Sequence, residues 1–211
     1  GNLSLPFRTP GNLLFPPGIS QVMVIVGVAG RIGAGKDTVA GVLAREHGFQ
    51  VVRFSDPLKH EVATKFKRTL GAYLEERGVT PTPQKVHLLL HVDRTPFTRA
   101  LLQEYGTEVR RAEDPEYWVK RYLAQVTAMA NENPAVRIVT PDVRFPNEAW
   151  AIIQLQGYLM HVKRGEAYQA FWHDSEHALD SWDRYHFKVR NDGTFLDLEK
   201  VIDCWFRATV A

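Results

Sequence analysis

Apolar and polar positions along this chain follow two alternating rhythms. QVMVIVGVAG, residues 21–30, is a continuous apolar run rich in β-branched residues, the mark of a strand buried on both faces of a parallel sheet. From Lys36 to about His47 the pattern turns helical and stops at Gly48. FQVVRFS, residues 49–55, predicts a second strand. DPLKHEVATKFKRTLGAYLEERG predicts a helix with Asp56 as N-cap and Pro57 at its first position. VTPTPQK reads as a loop, followed by helices from near Gln84 to His91 and from Thr95–Pro96 onward. The Asp-Pro opening recurs at Asp114–Pro115, before an amphipathic helix. AVRIVTPDVRF predicts a third strand, PNEAWAIIQLQG a helix, YLMHVKR and RYHFKVRN two more strands, and FLDLEKVIDCWFRATV a closing helix. Strands and helices alternating at this spacing imply βαβ units: an α/β fold with a mostly parallel five-stranded sheet and helices on both faces. Residues 1–20 read as an irregular arm, either pinned by Leu13, Leu14 and Phe15 to the domain or to a second subunit or a flexible leader, with Met23 an alternative start.

Composition narrows the class. The 211 residues suit one domain, 45% of them are hydrophobic and 24% charged, which is the balance of a soluble globular protein. Net charge is only +2, against a nucleic-acid-coating role and compatible with a local anion pocket. Cys204 is the single cysteine, so no internal disulfide forms and nothing points to an oxidising compartment. No apolar run approaches the roughly 18 to 20 residues of a membrane span. Prolines and glycines interrupt the first twenty residues before any signal-peptide core can form. A soluble intracellular protein without a membrane or stable nucleic-acid partner is the expectation.

The chemistry begins at GVAGRIGAGKDTVAGVL, residues 27–43. An apolar strand, a glycine-rich turn and a helix follow in the order that a phosphate-binding loop requires. Gly30, Gly33, Ala34 and Gly35 let the backbone curl with its N–H groups inward, and the helix N-terminus adds partial positive charge. Lys36 supplies a mobile charge for β- and γ-phosphates. The usual hydroxyl after the lysine is replaced by Asp37, and Thr38 comes one residue late. Asp37 either complements the helix dipole or serves Mg²⁺ in the hydroxyl's place. Asp142, at the end of the third strand, lies where ligands bind in open α/β sheets and is the second metal candidate.

The ending Gly-Lys-Asp-Thr resembles the P-loop of phage-type deoxynucleoside monophosphate kinases, within the P-loop kinase superfamily. FSDPLK (54–59), RALLQEYGTEVRRAEDPEYWVKR (99–121), DVRFPNEA (142–149), HDSEHALD and VRNDGTFLDL extend the likeness over about residues 22–202. The resemblance implies an ATP- and Mg²⁺-dependent kinase phosphorylating a deoxynucleoside 5′-monophosphate, in the host cytoplasm if phage-encoded. It divides the domain of residues 21–211 into a P-loop core, an acceptor-binding helical region at about 56–132 and a lid at about 163–183.

Under that reading Gly30, Gly33, Ala34, Gly35, Lys36, Asp37, Thr38 and Asn191 bind ATP. Lys36, Arg144 and Arg164 act on the transferring phosphoryl, with Lys163 beside Arg164. Asp56, Lys59, Arg99, Gln103, Arg110, Arg111 and Trp118 hold the acceptor. On the helix from Pro96, Leu102, Tyr105 and Val109 share a core-facing spacing, while Arg99, Gln103 and Thr107 recur on another face, suited to a bidentate phosphate clamp. Trp118 is either core or a base-stacking platform. Arg144 either reaches phosphate or pairs with Asp142 or Glu148. Thr194 is an N-cap candidate in the NDGT turn. His173, Glu176 and His177 fit a zinc-peptidase spacing, but no third ligand follows and they read better as lid. The alternatives are another small acceptor, a hydroxymethylated pyrimidine in DNA, or a non-catalytic nucleotide-binding module. The N-terminal arm and several exposed-looking aromatics are compatible with a homodimer.

Overall fold

The computed structural model describes residues 23–93, 95–165 and 177–210. The chain divides into two compact units, one of residues up to Val51 together with Thr127 onward, the other of Val52–Val126.

The first unit is built on a sheet. Among the described residues, β1 (Val24–Ala29), β2 (Gln50–Val51), β3 (Arg137–Val143), β4 (Tyr158–Lys163) and β5 (Phe187–Arg190) pair in the order β2-β3-β1-β4-β5. Every pairing is parallel. Central β1 is apolar without alternation because both of its faces are covered. Val26, Val28, Val139, Met160 and Val162 meet α1 (Lys36–His47) and the closing helix (Phe195–Thr209) through Val39, Leu43, Leu198, Ile202 and Phe206 in one apolar cluster. Thr194 caps the closing helix: its hydroxyl accepts from the Asp197 N–H at 3.3 Å, and the Asp197 carboxylate accepts from the Thr194 N–H at 2.9 Å. The helix Pro146–Gln154 opens under Glu148, a buried carboxylate accepting from the backbone N–H groups of Arg144 and Phe145 at 2.8 and 3.1 Å.

The second unit is helical: α2 (Ser55–Lys65), α3 (Lys67–Glu75), α4 (Pro83–Leu88), a π-helical turn (Leu89–Asp93), α5 (Pro96–Gln103) and a second π-helical stretch (Glu104–Arg111). The helix α6 follows at Tyr117–Glu132. Val62, Leu70, Leu74, Leu89, Leu90, Tyr105 and Trp118 form this unit's core.

Several local expectations need correction. The second strand shrinks to two residues, since its ladder to β3 ends at Val51 and the chain turns into α2. Asp56 is not the N-cap but lies in the first turn, accepting from the Arg53 N–H at 3.2 Å. The long helix predicted after it breaks at Phe66, whose φ of −104° and ψ of 25° leave the helical region. The last helix of this unit starts at Tyr117, because the Asp114 carboxylate accepts from the Glu116 N–H in a turn of its own. Val109 is 39% exposed rather than core, because the π-helical stretch shifts its phase around the axis.

Candidate active site

The strand order puts β1 between β3 and β4, so the crevice beyond its carboxyl end is the topological switch point where open α/β sheets bind ligands. The glycine-rich loop leaves β1 at that place. Gly30, Gly33 and Gly35 all have positive φ, at 145°, 76° and 103°. At two of them space is as restrictive as torsion: a Cβ on Gly30 would lie 2.3 Å from the Val162 carbonyl oxygen, and one on Gly35 2.3 Å from the Asn191 amide nitrogen. Lys36 opens α1 and is 9% exposed. Its ammonium folds back across the loop, donating to the carbonyls of Gly30 at 2.6 Å and Arg31 at 2.8 Å. Ala34 sits buried inside the curl, its N–H donating to the Arg31 carbonyl. Asp37 is exposed in the first helical turn and Thr38 is half-buried behind it.

Asn191 closes the loop from outside. Its buried side-chain amide donates to the Ala34 carbonyl at 2.9 Å, and its own N–H donates to the Lys163 carbonyl at 2.8 Å. The next residue, Asp192, accepts from the Gly165 N–H at 2.7 Å. The NDGT turn therefore ties the phosphate loop to the end of β4. Arg164 follows β4 and is exposed, as is Lys163. The rest of the segment expected to form a lid, with His173 and Glu176, lies outside the described residues. His177 pairs with Asp180 at 2.9 Å.

Asp142 is the half-buried penultimate residue of β3, where the ladder to β1 reaches Ala29 opposite Val143. Arg144 follows, lining a small polar cavity with Gly30, Arg31, His161, Asp180 and Tyr185. Sequence reasoning missed the last four. Arg31 forms an ion pair with Asp180 at 2.9 Å. His161 stacks on Tyr185 with ring centroids 4.6 Å apart, and burial followed by the charges of Lys188 and Lys163 lowers its pKa. Burial pushes the Tyr185 phenol up to about 12. His161 had a signal: a titratable residue near the carboxyl end of an apolar strand. Among the described residues no three His, Cys, Asp or Glu side chains gather to hold a metal. Asp37, exposed at the start of α1, and Asp142, half-buried near the end of β3, are carboxylates of the kind Mg²⁺ accepts, since it prefers one or two carboxylates, water and substrate phosphates to an all-protein cage.

In the helical unit, Asp56 and Lys59 form a pair at 3.5 Å, with Lys59 buried. Arg99 is exposed; Gln103, Thr107 and Arg111 are half-buried, and Arg111 donates to the Pro115 carbonyl at 3.4 Å. Arg110 does not stand open as a clamp. Its guanidinium donates to the Tyr105 hydroxyl at 2.8 Å, to Glu113 at 3.1 Å and to Glu61 at 3.4 Å. Tyr105 and Tyr117 hydroxyls also donate to Glu61, at 2.9 and 2.5 Å. Burial alone would raise the Glu61 pKa; hydrogen bonds from Tyr117 and Tyr105 and the charges of Arg110 and Arg121 overcome it and hold the carboxyl low. Trp118 is core rather than a stacking platform. It is 3% exposed and its indole N–H donates to the Gly106 carbonyl at 3.0 Å, which leaves no ring face for a base.

Strand order, glycine loop and folded-back lysine make this a parallel α/β fold with a phosphate-loop turn at its switch point. No family model matches the chain. A protein of Acanthamoeba polyphaga mimivirus, provisionally named deoxynucleotide monophosphate kinase, is 28% identical over 194 residues, covering 86% of this chain and 96% of its own. The likeness read from the sequence motifs is borne out by that relative. Among solved structures, TT1252 from Thermus thermophilus is 18% identical and covers 90% of this chain and 100% of its own, at a TM-score of 0.49. Dephospho-CoA kinase from Campylobacter jejuni is 14% identical and covers 89% and 98%, at 0.46. Among the described residues no helix is long and apolar enough to cross a membrane.

Proposed function

We propose that the chain transfers the γ-phosphoryl of ATP to a deoxynucleoside 5′-monophosphate, giving the diphosphate. The observation that carries this reading is the phosphate loop at the switch point, with Lys36 lying across the carbonyls of Gly30 and Arg31. The mimivirus relative, matched over most of both chains, supports the acceptor class.

Phosphoryl transfer asks the protein chiefly for positioning and charge neutralisation. The loop amides and the start of α1 hold the donor phosphates, and the Lys36 ammonium exchanges its carbonyl partners for phosphate oxygens. Asp37 and Asp142 are the residues that would hold Mg²⁺, which would supply charge neutralisation on the donor phosphates. Arg144 and Arg164 stabilise charge on the transferring group, and Arg31 joins them once phosphate competes with Asp180 for its guanidinium. Asn191 keeps the loop in shape. Asp56, Lys59, Arg99, Gln103 and Arg111 receive the acceptor, with Arg110 positioned by Glu61 and Tyr105.

An ADP-coupled assay over all deoxy- and ribonucleoside monophosphates tests the proposal. ADP forms only when a deoxynucleoside monophosphate is present, and Lys36→Ala lowers the rate at least about a hundredfold, the scale of losing a main electrostatic contact to the reacting group. ADP release independent of acceptor, or equal rates with ribo- and deoxy-forms, overturns it.

A further inference from the structure

Glu61, on α2, gathers side chains from the second π-helical stretch and from α6. Its Oε2 accepts from the Tyr105 hydroxyl at 2.9 Å and from Nη2 of Arg110 at 3.4 Å. Its Oε1 accepts from the Tyr117 hydroxyl at 2.5 Å and meets Nη2 of Arg121 at 3.3 Å. Each phenol also accepts from the arginine on its own side: Tyr105 from Nε of Arg110 at 2.8 Å, Tyr117 from Nη2 of Arg121 at 3.0 Å. The Tyr117 ring carries both guanidiniums, their central carbons 4.9 and 5.3 Å from its centroid. Two cations are thus held against one carboxylate and one ring, each in a fixed direction. On the outer side Arg110 meets Glu113 at 3.1 Å, a carboxylate 61% exposed. Arg121 is itself 56% exposed and reaches Glu61 and Tyr117 through Nη2.

We propose that Arg110 and Arg121 form a two-guanidinium seat for the acceptor's phosphate, aimed by Glu61, Tyr105 and Tyr117 as positioning residues. This rests on the reading of the chain as a monophosphate kinase and adds Arg121 to its binding residues. The donor's phosphates have the glycine loop of the first unit, so a second seat for a dianion, built in the other unit, falls to the acceptor. Glu61 balances one of the two guanidiniums that face it, and a phosphate balances the rest. Glu113 gives way, because an ion pair so exposed is weak beside a dianion with three acceptor oxygens. Glu61 need not move: it engages Nη2 of both arginines, which leaves Nη1 of each to the ligand. Arginine side chains ordinarily lose rotamer freedom on binding. Here the carboxylate and the phenols restrict them before the ligand arrives, which lowers the cost of association.

Steady-state kinetics of the intact chain with each of the four deoxynucleoside 5′-monophosphates test the seat. Arg121→Ala raises the acceptor KM at least about tenfold, the scale of one charge-assisted hydrogen bond, while the ATP KM stays at the wild-type value and so confirms a folded donor site. Arg121→Lys, which keeps the charge without the planar fork, falls between the two. Glu61→Asp keeps the charge but draws the carboxylate back by one methylene, and it raises the acceptor KM severalfold. In each variant the loss falls on the acceptor KM rather than on kcat, because the seat grips ground state and transition state alike. A purely structural lattice lowers Tm and leaves the acceptor KM where it was; that result in either Arg121→Ala or Glu61→Asp overturns the proposal. If the wild type turns over no monophosphate, the kinase reading falls separately, and inorganic phosphate becomes the probe. It is titrated calorimetrically into chains carrying Lys36→Ala, which weakens the loop's own hold on phosphate. Binding that Arg121→Ala then weakens about tenfold upholds the pair as an anion seat, and absent or equal binding overturns it.

Discussion

Lys36 and Asn191 show how differently two side chains at one site announce themselves. Lys36 belongs to a local motif: the glycines, the helix start and the carbonyls it bonds to all lie within six residues. That is why the phosphate loop was legible from one short stretch. Asn191 acts on the same loop from 157 positions away, through a hydrogen bond that depends on β5 being seated beside β4. The sequence placed it near ATP through family likeness; its support of Ala34 needed the fold. Arg31 and Asp180, 149 positions apart, were missed for the same reason. Removing the buried amide leaves the Ala34 carbonyl without that donor, a loss of about 1 to 3 kcal/mol. Asn191→Ala is therefore expected to lower Tm and to raise the ATP KM severalfold, with the acceptor KM much less affected. Asn191→Asp, which keeps the shape but sets a carboxylate against a carbonyl, does the same or worse. An unchanged ATP KM in both variants removes Asn191 from the donor site.

Elements were legible in proportion to their regularity. The helix from Lys36 to His47 and the strands β3 and β4 lie where periodicity puts them, because each is long enough for burial to repeat. The helix from Pro96 began as predicted, capped by the Thr95 hydroxyl, yet its second half departs from α-periodicity. There the Gly106 carbonyl accepts from the Trp118 indole, a tertiary partner that no local pattern encodes. The π-helical stretch Glu104–Arg111 changes which residues face inward, and Val109 rolls out. Val109→Ser measures this directly: in urea unfolding it shifts stability by no more than about 0.5 kcal/mol, the scale of a surface change. A loss of 2 kcal/mol or more, as for a core aliphatic, contradicts the π geometry.

At the scale of the whole molecule, acid acts through two sets of groups. His91, held by burial at about 4, and His161, held below its ordinary value, bind protons less readily when folded than when unfolded, where they titrate near 6.5. The unfolded state therefore binds more protons as pH falls below about 6.5, so their contribution is fully present above that pH and is lost on acidification, for His91 as pH falls through about 4. Glu61, Asp114, Asp180, Asp192 and Asp197 are held low by hydrogen bonds and nearby cations, and their contribution is lost at still lower pH. Thermal melts followed by circular dichroism are expected to show Tm declining from about pH 6.5 and falling more steeply below about 4. A Tm constant between those values contradicts the burial of the two histidines.

The contrast between Gly30 and Gly35 has a genetic consequence. Both exclude a side chain by torsion, but Gly30 meets main chain, the Val162 carbonyl, while Gly35 meets a side chain, Asn191. Main chain at a strand end cannot be trimmed by substitution, whereas an amide can. A selection for second-site revertants of Gly35→Ala should recover smaller residues at position 191, partial rescues that relieve the collision and leave the backbone strain. The same selection on Gly30→Ala should return only true reversions.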